Sequence, residues 1–425
     1  MKIAIIGSGI SGLTCAYHLH KNHDVTVYEA NHYIGGHTAT VDVDESGKPL
    51  AIDTGFIVYN DRTYPRFNRL LDELGVKGQK TDMSFSVKNQ ANGLEYNGHT
   101  LTTLFAQKRN LFKPTFYRFL AEIVRFNRLA KAMAQQESIN DVTLGDFLQQ
   151  QGFTDYFCQN YILPMGAAIW SSSLADMRQF PLPFFVNFFL NHGLLDINNR
   201  PQWSVIKGGS RCYIPALTKG FANRIKLNSP VQNVYRQGDH LVVESKGEKQ
   251  SYDQVIMACH SDQALAMIND ASSQETRVLS ALQYQANEVV LHTDTNLLPR
   301  RKAAWAAWNY WLDGSDKEQN QLPKLTYNMN ILQGLKTQKT YCVSLNATAD
   351  IQPQAIIKRF TYHHPVFNPA AIAAQQQRDL INGVNGIWFC GAYWYNGFHE
   401  DGVRSAEDIV EAFELGLPRV LRGVA

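Results

Sequence analysis

The chain has 425 residues, of which 18% are charged and 11% aromatic, and its formal net charge is +2. This balance excludes a disordered, collagenous or coiled-coil protein and gives no global argument for a nucleic-acid partner. At about 150 residues per domain, the length predicts roughly three compact units. The six cysteines are scattered without a C-x-x-C pair, which indicates reduced thiols in a cytoplasmic protein and predicts no metal site.

The chain begins with an apolar run (2–6), a glycine-rich turn, a helical stretch (10–21) and a second strand-like run (24–28). The turn has the G-x-G-x-x-G spacing of a dinucleotide-binding βαβ unit. Its three glycines are Gly7, Gly9 and Gly12. They predict a tight turn, a close approach of the backbone to a diphosphate, and close packing of helix and strand. The helix N-terminus then faces the phosphate charge.

An acidic residue, Glu29, follows the second run. A carboxylate at this point can accept hydrogen bonds from both ribose hydroxyls of an adenosine. It repels a 2′-phosphate, so the pattern disfavours NADP.

The next motifs are Gly35-Gly36-His37 and, after a polar hairpin, Ile52-Asp53-Thr54-Gly55. With them the chain resembles the flavin-containing amine oxidase superfamily, which also holds phytoene desaturases and protoporphyrinogen oxidases. The resemblance implies that the dinucleotide is FAD and that Gly36 lets the chain pass close to its diphosphate. The family usually has Arg after the glycine pair, where this chain has His37. We interpret His37 as a phosphate or flavin neighbour, with a solvated loop histidine as the alternative.

Two later segments extend the resemblance. In the family, the position of Val231 meets the adenine through its backbone. Gly391 ends a strand, and Ala392 stands where the family usually has an acidic residue. A C-terminal helix follows, for which Asp401 is the predicted N-cap. The resemblance implies that the N-terminal amides of this helix, around Val403, point at the flavin pyrimidine ring, where the helix dipole stabilises negative charge.

The resemblance implies an α/β fold with a discontinuous Rossmann-type FAD-binding domain, an inserted α+β substrate domain and a helical insertion. The FAD-binding domain is predicted to comprise residues 1–75, 201–265 and 381–425. Residues 76–200 form the predicted helical insertion, and residues 266–380 the predicted substrate domain with an antiparallel sheet.

Two features of the insertion point to lipid. Residues 108–131 carry seven basic residues against one acid, with large apolar residues on one predicted helical face. A basic amphipathic helix predicts peripheral contact with the inner face of a membrane, and a core-packed helix with a solvated basic face is the alternative. Residues 180–190 contain five Phe, which could wall a tunnel for a long aliphatic substrate or belong to the core. The apolar stretch 180–195 is too interrupted to span a bilayer.

A narrower resemblance concerns the chemistry. The strand-like run 284–292 has no lysine, although flavin amine oxidases generally keep one there that holds a water at the flavin N5. Segments 363–367 (HHPVF) and 390–402 (CGAYWYNGFHEDG) resemble a bacterial subgroup that accompanies cyclopropane-fatty-acid-synthase-like methyltransferases. This resemblance implies redox chemistry on unsaturated or branched acyl chains and a methyltransferase as a possible partner.

The acid–base and aromatic residues of these segments are the predicted catalytic residues. They are Glu400, His399, Tyr395 and His364. Glu400 or His399 would act as acid or base during hydride exchange, because burial can raise a carboxyl pKa toward neutrality. Tyr395 would flank the substrate. For Glu400 and His364 a structural role is the alternative.

The sequence thus predicts an FAD-dependent oxidoreductase that acts on a long apolar substrate, such as a fatty acyl chain of a phospholipid. Three alternatives remain open: an acyl double-bond isomerase, an amine oxidase, and a non-catalytic flavin- and lipid-binding partner of a methyltransferase.

Overall fold

The computed structural model describes residues 1–134, 142–196, 200–315 and 317–416. The parts of the predicted domains at 135–141, 197–199, 316 and 417–425 lie outside the described residues. The strands are β1 Lys2–Ile6, β2 Asp24–Tyr28, β3 Thr40–Glu45, β4 Lys48–Asp53, β5 Val58–Asn60, β6 Gly78–Lys80, β7 Phe85–Asn89, β8 Leu94–Asn97, β9 Trp203–Ile206, β10 Ile225–Lys226, β11 Val231–Gln237, β12 His240–Ser245, β13 Glu248–Tyr252, β14 Gln254–Met257, β15 Tyr284–His292, β16 Trp308–Leu312, β17 Lys324–Asn328, β18 Cys342–Leu345, β19 Ile356–Pro365 and β20 Ile387–Phe389. The α-helices are α1 Ile10–Leu19, α2 Pro65–Glu73, α3 Leu101–Leu104, α4 Pro114–Met133, α5 Leu144–Gln150, α6 Asp155–Phe157, α7 Leu163–Trp170, α8 Leu174–Arg178, α9 Leu182–Asn191, α10 Ile214–Thr218, α11 Ser261–Met267, α12 Ser273–Ala281, α13 Met329–Leu332, α14 Pro369–Gln375 and α15 His399–Glu414.

The molecule has two halves in space, each built around one sheet. A five-stranded parallel sheet, in the order β10-β2-β1-β14-β20, forms the centre of the first half. Its inner strands are apolar along their length because both faces of the sheet are covered. Helices α1 and α15 pack together on one face, where a Cβ on Gly402 would lie 2.7 Å from Ile10 Cγ2. The antiparallel strands β11, β12 and β13 contribute to the core on the other face. All three segments predicted for the FAD-binding domain contribute strands to the parallel sheet.

A seven-stranded sheet, in the order β19-β15-β18-β17-β16-β7-β8, forms the second half. Its neighbouring strands are antiparallel except for the parallel pair β16–β7. The prediction that the helical insertion begins at residue 76 is wrong, because residues 78–97 form β6, β7 and β8. These strands have three to five residues each, which is too short for a clear helical or strand period. Here a buried hydrogen bond from Ser86 Oγ to Asn309 Oδ1 (2.9 Å) joins β7 to β16.

Helices α4 to α9 pack against this sheet around a core rich in aromatic rings. The predicted apolar face of α4 lies in that core, with Phe116, Phe119 and Phe126 fully buried. The ring of Phe126 lies 6.4 Å from that of Phe185 on α9. Most of the predicted phenylalanine cluster is therefore core, and only Phe184 is partly exposed. Within the described ranges, no helix has the length and apolar character needed to cross a bilayer.

Candidate functional site

The glycine turn between β1 and α1 is built from backbone contacts. Gly7 has a φ of +110°, and a Cβ there would lie 2.6 Å from the carbonyl oxygen of Ala258. Gly9 is the N-cap of α1 and offers no side chain to the free amides of the first turn. A Cβ on Gly9 would meet no atom within 4 Å. An uncapped helix N-terminus facing open space fits a diphosphate, because its amides and dipole favour an anion.

Glu29 lies buried at the end of β2, beside this turn. Its carboxylate accepts hydrogen bonds from the amide and hydroxyl of Ser8 (3.0 and 2.5 Å) and from the amide and side chain of Asn31 (2.8 and 3.0 Å). These four donors hold the carboxylate in place. The two side-chain donors are groups that ribose hydroxyls can replace.

The second glycine motif brings His37 to the same region. A Cβ on Gly36 would lie 3.2 Å from Gly9 Cα, so the two glycine turns are in contact. The Nε2 atom of His37 is buried and has no hydrogen-bond partner among the described residues. Burial lowers the pKa of His37 to about 4, so the ring is neutral. A buried nitrogen without a partner is a group that a bound cofactor would satisfy, and a solvated loop histidine does not describe it. Three rings lie around the His37 ring. The distances between ring centres are 5.2 Å to Tyr362, 5.9 Å to His364 and 6.3 Å to His260.

The other residues predicted to contact FAD are Val231, Gly391 and Val403. The structure shows fewer features at these positions that fit a cofactor. Val231 begins β11 and is partly buried beside the parallel sheet. Gly391 follows β20, and its amide donates to Ser405 Oγ at 2.9 Å. Val403 is fully buried in α15, beyond the first turn. Since the amide of Gly402 already bonds to the carbonyl of Phe398 (3.1 Å), the free amides of α15 precede Val403.

His399, the first residue of α15, packs in the half of the molecule that is built around the five-stranded parallel sheet. Its ring stacks on Phe56 at 3.7 Å, and its Nε2 lies 2.8 Å from the hydroxyl of Tyr213. Burial lowers the pKa of His399 to about 3, so the ring is neutral. These contacts give His399 a packing role and do not support the predicted acid–base role.

Glu400 caps the neighbouring helix α2. One carboxylate oxygen accepts from the amide of Arg66 (3.0 Å) and the other from the amide of Phe67 (2.8 Å). The N-cap of α2, Tyr64, has no side-chain hydrogen bond of its own, so Glu400 supplies the missing acceptors. Burial raises the pKa of Glu400. The structural alternative therefore describes Glu400 better than the predicted acid–base role.

Tyr395 contacts side chains of α15. Its hydroxyl donates to Asp408 (2.6 Å), and the guanidinium of Arg404 lies 3.9 Å from its ring centre. It lines a cleft of about 650 Å³ along the outer side of α15. None of the residues in contact with His364 lines this cleft, so the predicted substrate contact of Tyr395 finds no support here.

Asp401 is the third residue of α15, where its Oδ2 accepts from the amide of Phe398 (2.8 Å). The predicted N-cap role is wrong because Phe398 takes that position. Burial raises the pKa of Asp401 from 3.8 to about 7. The folded state therefore binds more protons than the unfolded state between these two values. The stability that follows is present below about pH 4 and is lost as the pH rises through about 7.

We therefore expect Asp401→Asn to stabilise the protein at pH 8, by on the order of 1–4 kcal/mol, and to stabilise it clearly less at pH 5, where only part of the loss between the two pKa values has occurred. The Asn side chain keeps an acceptor for Phe398 but carries no charge. Thermal unfolding of both proteins at the two pH values checks this. An equal gain at pH 5 and pH 8 would contradict it.

His364 is the predicted catalytic residue that the structure places between the two halves. Its Nδ1 lies 2.8 Å from Ser171 Oγ and 3.4 Å from Asn287 Nδ2. Ser171 follows α7 with a φ of +53°, a conformation that is uncommon for a non-glycine residue. None of the described residues bonds to Nε2 of His364. Burial is the main cause that lowers the pKa of His364 to about 3, and the neighbouring His37 is the second largest cause.

A chain of hydrogen bonds determines which nitrogen of His364 carries the proton. The amide of Glu288 must donate, so Asn346 Oδ1 accepts (3.1 Å). Asn346 Nδ2 then donates to Asn287 Oδ1 (2.8 Å), which leaves Asn287 Nδ2 to donate to the carbonyl of Gln285 (3.1 Å) and to His364 Nδ1 (3.4 Å). Nδ1 of His364 is therefore an acceptor, and the proton lies on Nε2. His364 presents a neutral N–H donor at this position.

We expect ¹⁵N NMR of histidine-labelled protein to show His364 as the neutral Nε2–H tautomer. Asn287→Asp replaces the donor with a charged acceptor, so it should move the proton to Nδ1 and raise the pKa of His364 by about 1–3. Ser171→Ala is the matched control and should keep the Nε2–H tautomer, because Asn287 still donates. An Nδ1–H signal in the unaltered protein would contradict the assignment.

Two residues of this site, Ser171 and Asn287, are not predicted from the sequence. Asn287 lies on β15, the strand that lacks the family's lysine, and that absence is the only available signal. Nothing in the local sequence around Ser171 indicates its role, because the contact depends on how α7 and β19 pack.

Known proteins resemble this chain in sequence and in fold. The family model described as flavin containing amine oxidoreductase matches residues 10–335, which is more than half of the chain. A Mycobacterium tuberculosis protein provisionally named flavin-containing monoamine oxidase AofH is 23% identical over 259 residues, covering 58% of this chain and 54% of the relative. The chain thus matches this curated relative over about half of the relative's length.

Two solved structures show the same fold. Cyclohexylamine oxidase from Brevibacterium oxydans IH-35A has a TM-score of 0.69 at 15% identity, with 98% of this chain and 99% of that chain covered. A CLA-producing fatty acid isomerase from P. acnes has a TM-score of 0.69 at 14% identity, with 97% and 98% covered. The family match, the glycine turns and the partnerless nitrogen of His37 lead to one conclusion. The chain belongs to the flavin-containing amine oxidoreductase family of FAD-dependent oxidoreductases, and its cofactor is FAD.

Proposed function

We propose that the protein acts on a long, neutral, apolar substrate, namely an unsaturated or branched fatty acyl chain carried by a phospholipid. The observation that carries this proposal is the lining around His364. Its hydrogen-bond neighbours, Ser171 and Asn287, are neutral, and aromatic side chains adjoin them.

An aromatic wall begins at Trp170, directly before Ser171. Its ring lies 4.8 Å from Phe188, which stacks on Phe398 at 5.0 Å. Phe398 is the residue that precedes α15. Such a wall suits an alkyl chain, because each buried CH₂ group contributes about 0.8 kcal/mol.

A second aromatic contact continues the wall beside β19. Phe184 of α9 stacks on Phe367 at 5.3 Å, and Phe367 lies three residues after His364. The predicted phenylalanine cluster thus serves mainly as core, and Phe184, its one partly exposed member, also lines the cleft beside Tyr395.

The neutral lining disfavours an amine substrate. A protonated amine held away from water needs a carboxylate or another acceptor of its charge, and His364, Ser171 and Asn287 carry no charge. The lysine that the family resemblance associates with amine oxidation is absent from β15.

FAD, when bound, supplies the hydride exchange. The chain's own contribution is to orient the substrate and exclude water. Because Nδ1 of His364 accepts from Ser171 and Asn287, its Nε2–H can donate to an acceptor atom but cannot remove a proton there. The aromatic wall positions the acyl chain and keeps water from the reacting carbon.

Anaerobic mixing of the FAD-loaded protein with phospholipid vesicles tests the proposal. We expect vesicles with cis-unsaturated acyl chains to bleach the flavin lastingly, while matched vesicles with saturated straight chains leave it oxidised. A rearranged acyl product without bleaching would instead identify an isomerase. Hydrogen peroxide release with polyamines in air would identify an amine oxidase. No product with any of these would identify a binding protein, and a partner methyltransferase stays a prediction in every case.

A further inference from the structure

Five large apolar side chains are exposed on one part of the helical layer. Their exposed fractions are 77% for Leu101, 44% for Leu111, 87% for Phe112, 49% for Tyr117 and 53% for Val124. They belong to α3, the short turn after it, and α4. This set differs from the predicted apolar face of α4, which is buried in the core.

The contacts of the segment place these residues side by side. The ring of Phe105 lies 6.2 Å from that of Tyr117, and the amide of Phe105 bonds to the carbonyl of Leu101 (3.1 Å). The hydroxyl of Tyr117 donates to the carbonyl of Leu111 (3.0 Å), and Phe112 is the next residue in the chain. Val124 follows Tyr117 by seven residues, which places both on the same side of α4. We call these five exposed residues the docking surface.

The charges around the docking surface have one sign. Exposed basic residues accompany it on the turn and on α4: Lys108, Arg109, Lys113, Arg118 and Arg128. The one acid between residues 98 and 134 is Glu122. Its carboxylate is buried and accepts from the amide (3.0 Å) and the hydroxyl (2.5 Å) of Thr154. The segment therefore presents apolar side chains and positive charge together, without a compensating exposed carboxylate of its own.

We propose that the docking surface binds the face of an anionic phospholipid bilayer. Protruding Phe and Leu side chains can enter the boundary between head groups and acyl chains, while Lys and Arg contact the lipid phosphates. Neither the apolar side chains nor the charges would suffice alone, since stable attachment needs two such signals. The docking surface lies far in sequence from His364. The proposal is therefore tested by measuring the binding of the protein to vesicles, which requires no turnover.

Sedimentation of the FAD-loaded protein with vesicles tests the proposal. We expect binding to vesicles of equal parts phosphatidylglycerol and phosphatidylcholine, weakening as salt is added. Pure phosphatidylcholine should bind far less. Phe112→Asp should weaken binding about tenfold or more. Replacing Lys108 and Lys113 by Gln should weaken it about fivefold for each charge removed.

Ile357→Asp is the matched control, because Ile357 is also exposed (40%) but lies on β19, at the opposite edge of the seven-stranded sheet from β8. It should bind like the unaltered protein. Equal loss in both Asp variants, equal binding to neutral vesicles, or no binding to either vesicle would overturn the proposal. The proposal would also be overturned if Phe112→Asp released a soluble protein partner but left vesicle binding unchanged.

Discussion

Gly12→Ala is expected to yield a protein that lacks FAD and unfolds at a lower temperature. A Cβ on Gly12 would lie 2.1 Å from the carbonyl oxygen of Gly7 and 3.1 Å from the Cβ of Ala258. The nearest atom belongs to the backbone, so α1 would have to move away from β1. Overpacking of this kind typically costs about 1–3 kcal/mol, and here it also distorts the turn that is predicted to face the diphosphate. The flavin-to-protein absorbance ratio and thermal unfolding measure both effects.

Gly9→Ala is the matched control for folding. Gly9 has a φ of −68°, which alanine adopts readily, and a Cβ at this position would have no other atom within 4 Å. We expect this variant to unfold at nearly the same temperature as the unaltered protein but to bind FAD weakly, because the methyl group enters the space before α1. If Gly9→Ala retains FAD fully, the diphosphate does not lie at this turn. If Gly12→Ala retains it, the packing argument fails.

Glu400→Ala is expected to destabilise the protein by about 2–5 kcal/mol. The substitution leaves the amides of Arg66 and Phe67 without acceptors, and a partly buried donor without a partner costs roughly 1–3 kcal/mol. Glu400→Gln should cost less, since its amide keeps one acceptor oxygen. Both variants should reduce their flavin, in a single turnover with substrate, at a rate within a few fold of the unaltered protein.

Glu407→Gln is the control for the charge at the interface of α2 and α15. Glu407 pairs with Arg66 and Arg69, both at 2.5 Å, but caps no backbone amide of α2. Because both arginines are more than a third exposed, water weakens these ion pairs to about 0–1 kcal/mol, and this variant should unfold near the temperature of the unaltered protein. A Glu400→Gln protein that unfolds normally but no longer reduces its flavin would restore the acid–base role to Glu400.

The dinucleotide-binding unit was predictable from residue spacing. Gly7, Gly9 and Gly12 act through the backbone, and the backbone geometry of a βα turn depends on residues adjacent in sequence. Glu29 follows directly from the end of β2. His37 could be predicted as a neighbour of the cofactor for the same reason, although its buried nitrogen without a hydrogen-bond partner is seen only in the fold.

The roles of side chains around α15 were not predictable in this way. Successive helical residues point about 100° apart, so His399 and Glu400 reach different neighbours, the former Tyr213 and the latter the start of α2. Both residues follow β20 and Gly391 closely in sequence, but this does not indicate where their side chains point.

The sequence by itself therefore determined the cofactor class, the family and the parallel sheet, because these depend on local patterns and apolar runs. Only the tertiary structure decided which polar groups meet at His364, since Ser171 and Asn287 reach it through the packing of α7 and the pairing of β15 with β19. The tertiary structure likewise decided that the apolar face of α4 is core and that Phe112 and its neighbours are exposed. Burial is a property of what packs against a residue, and a linear pattern records only that an apolar face exists.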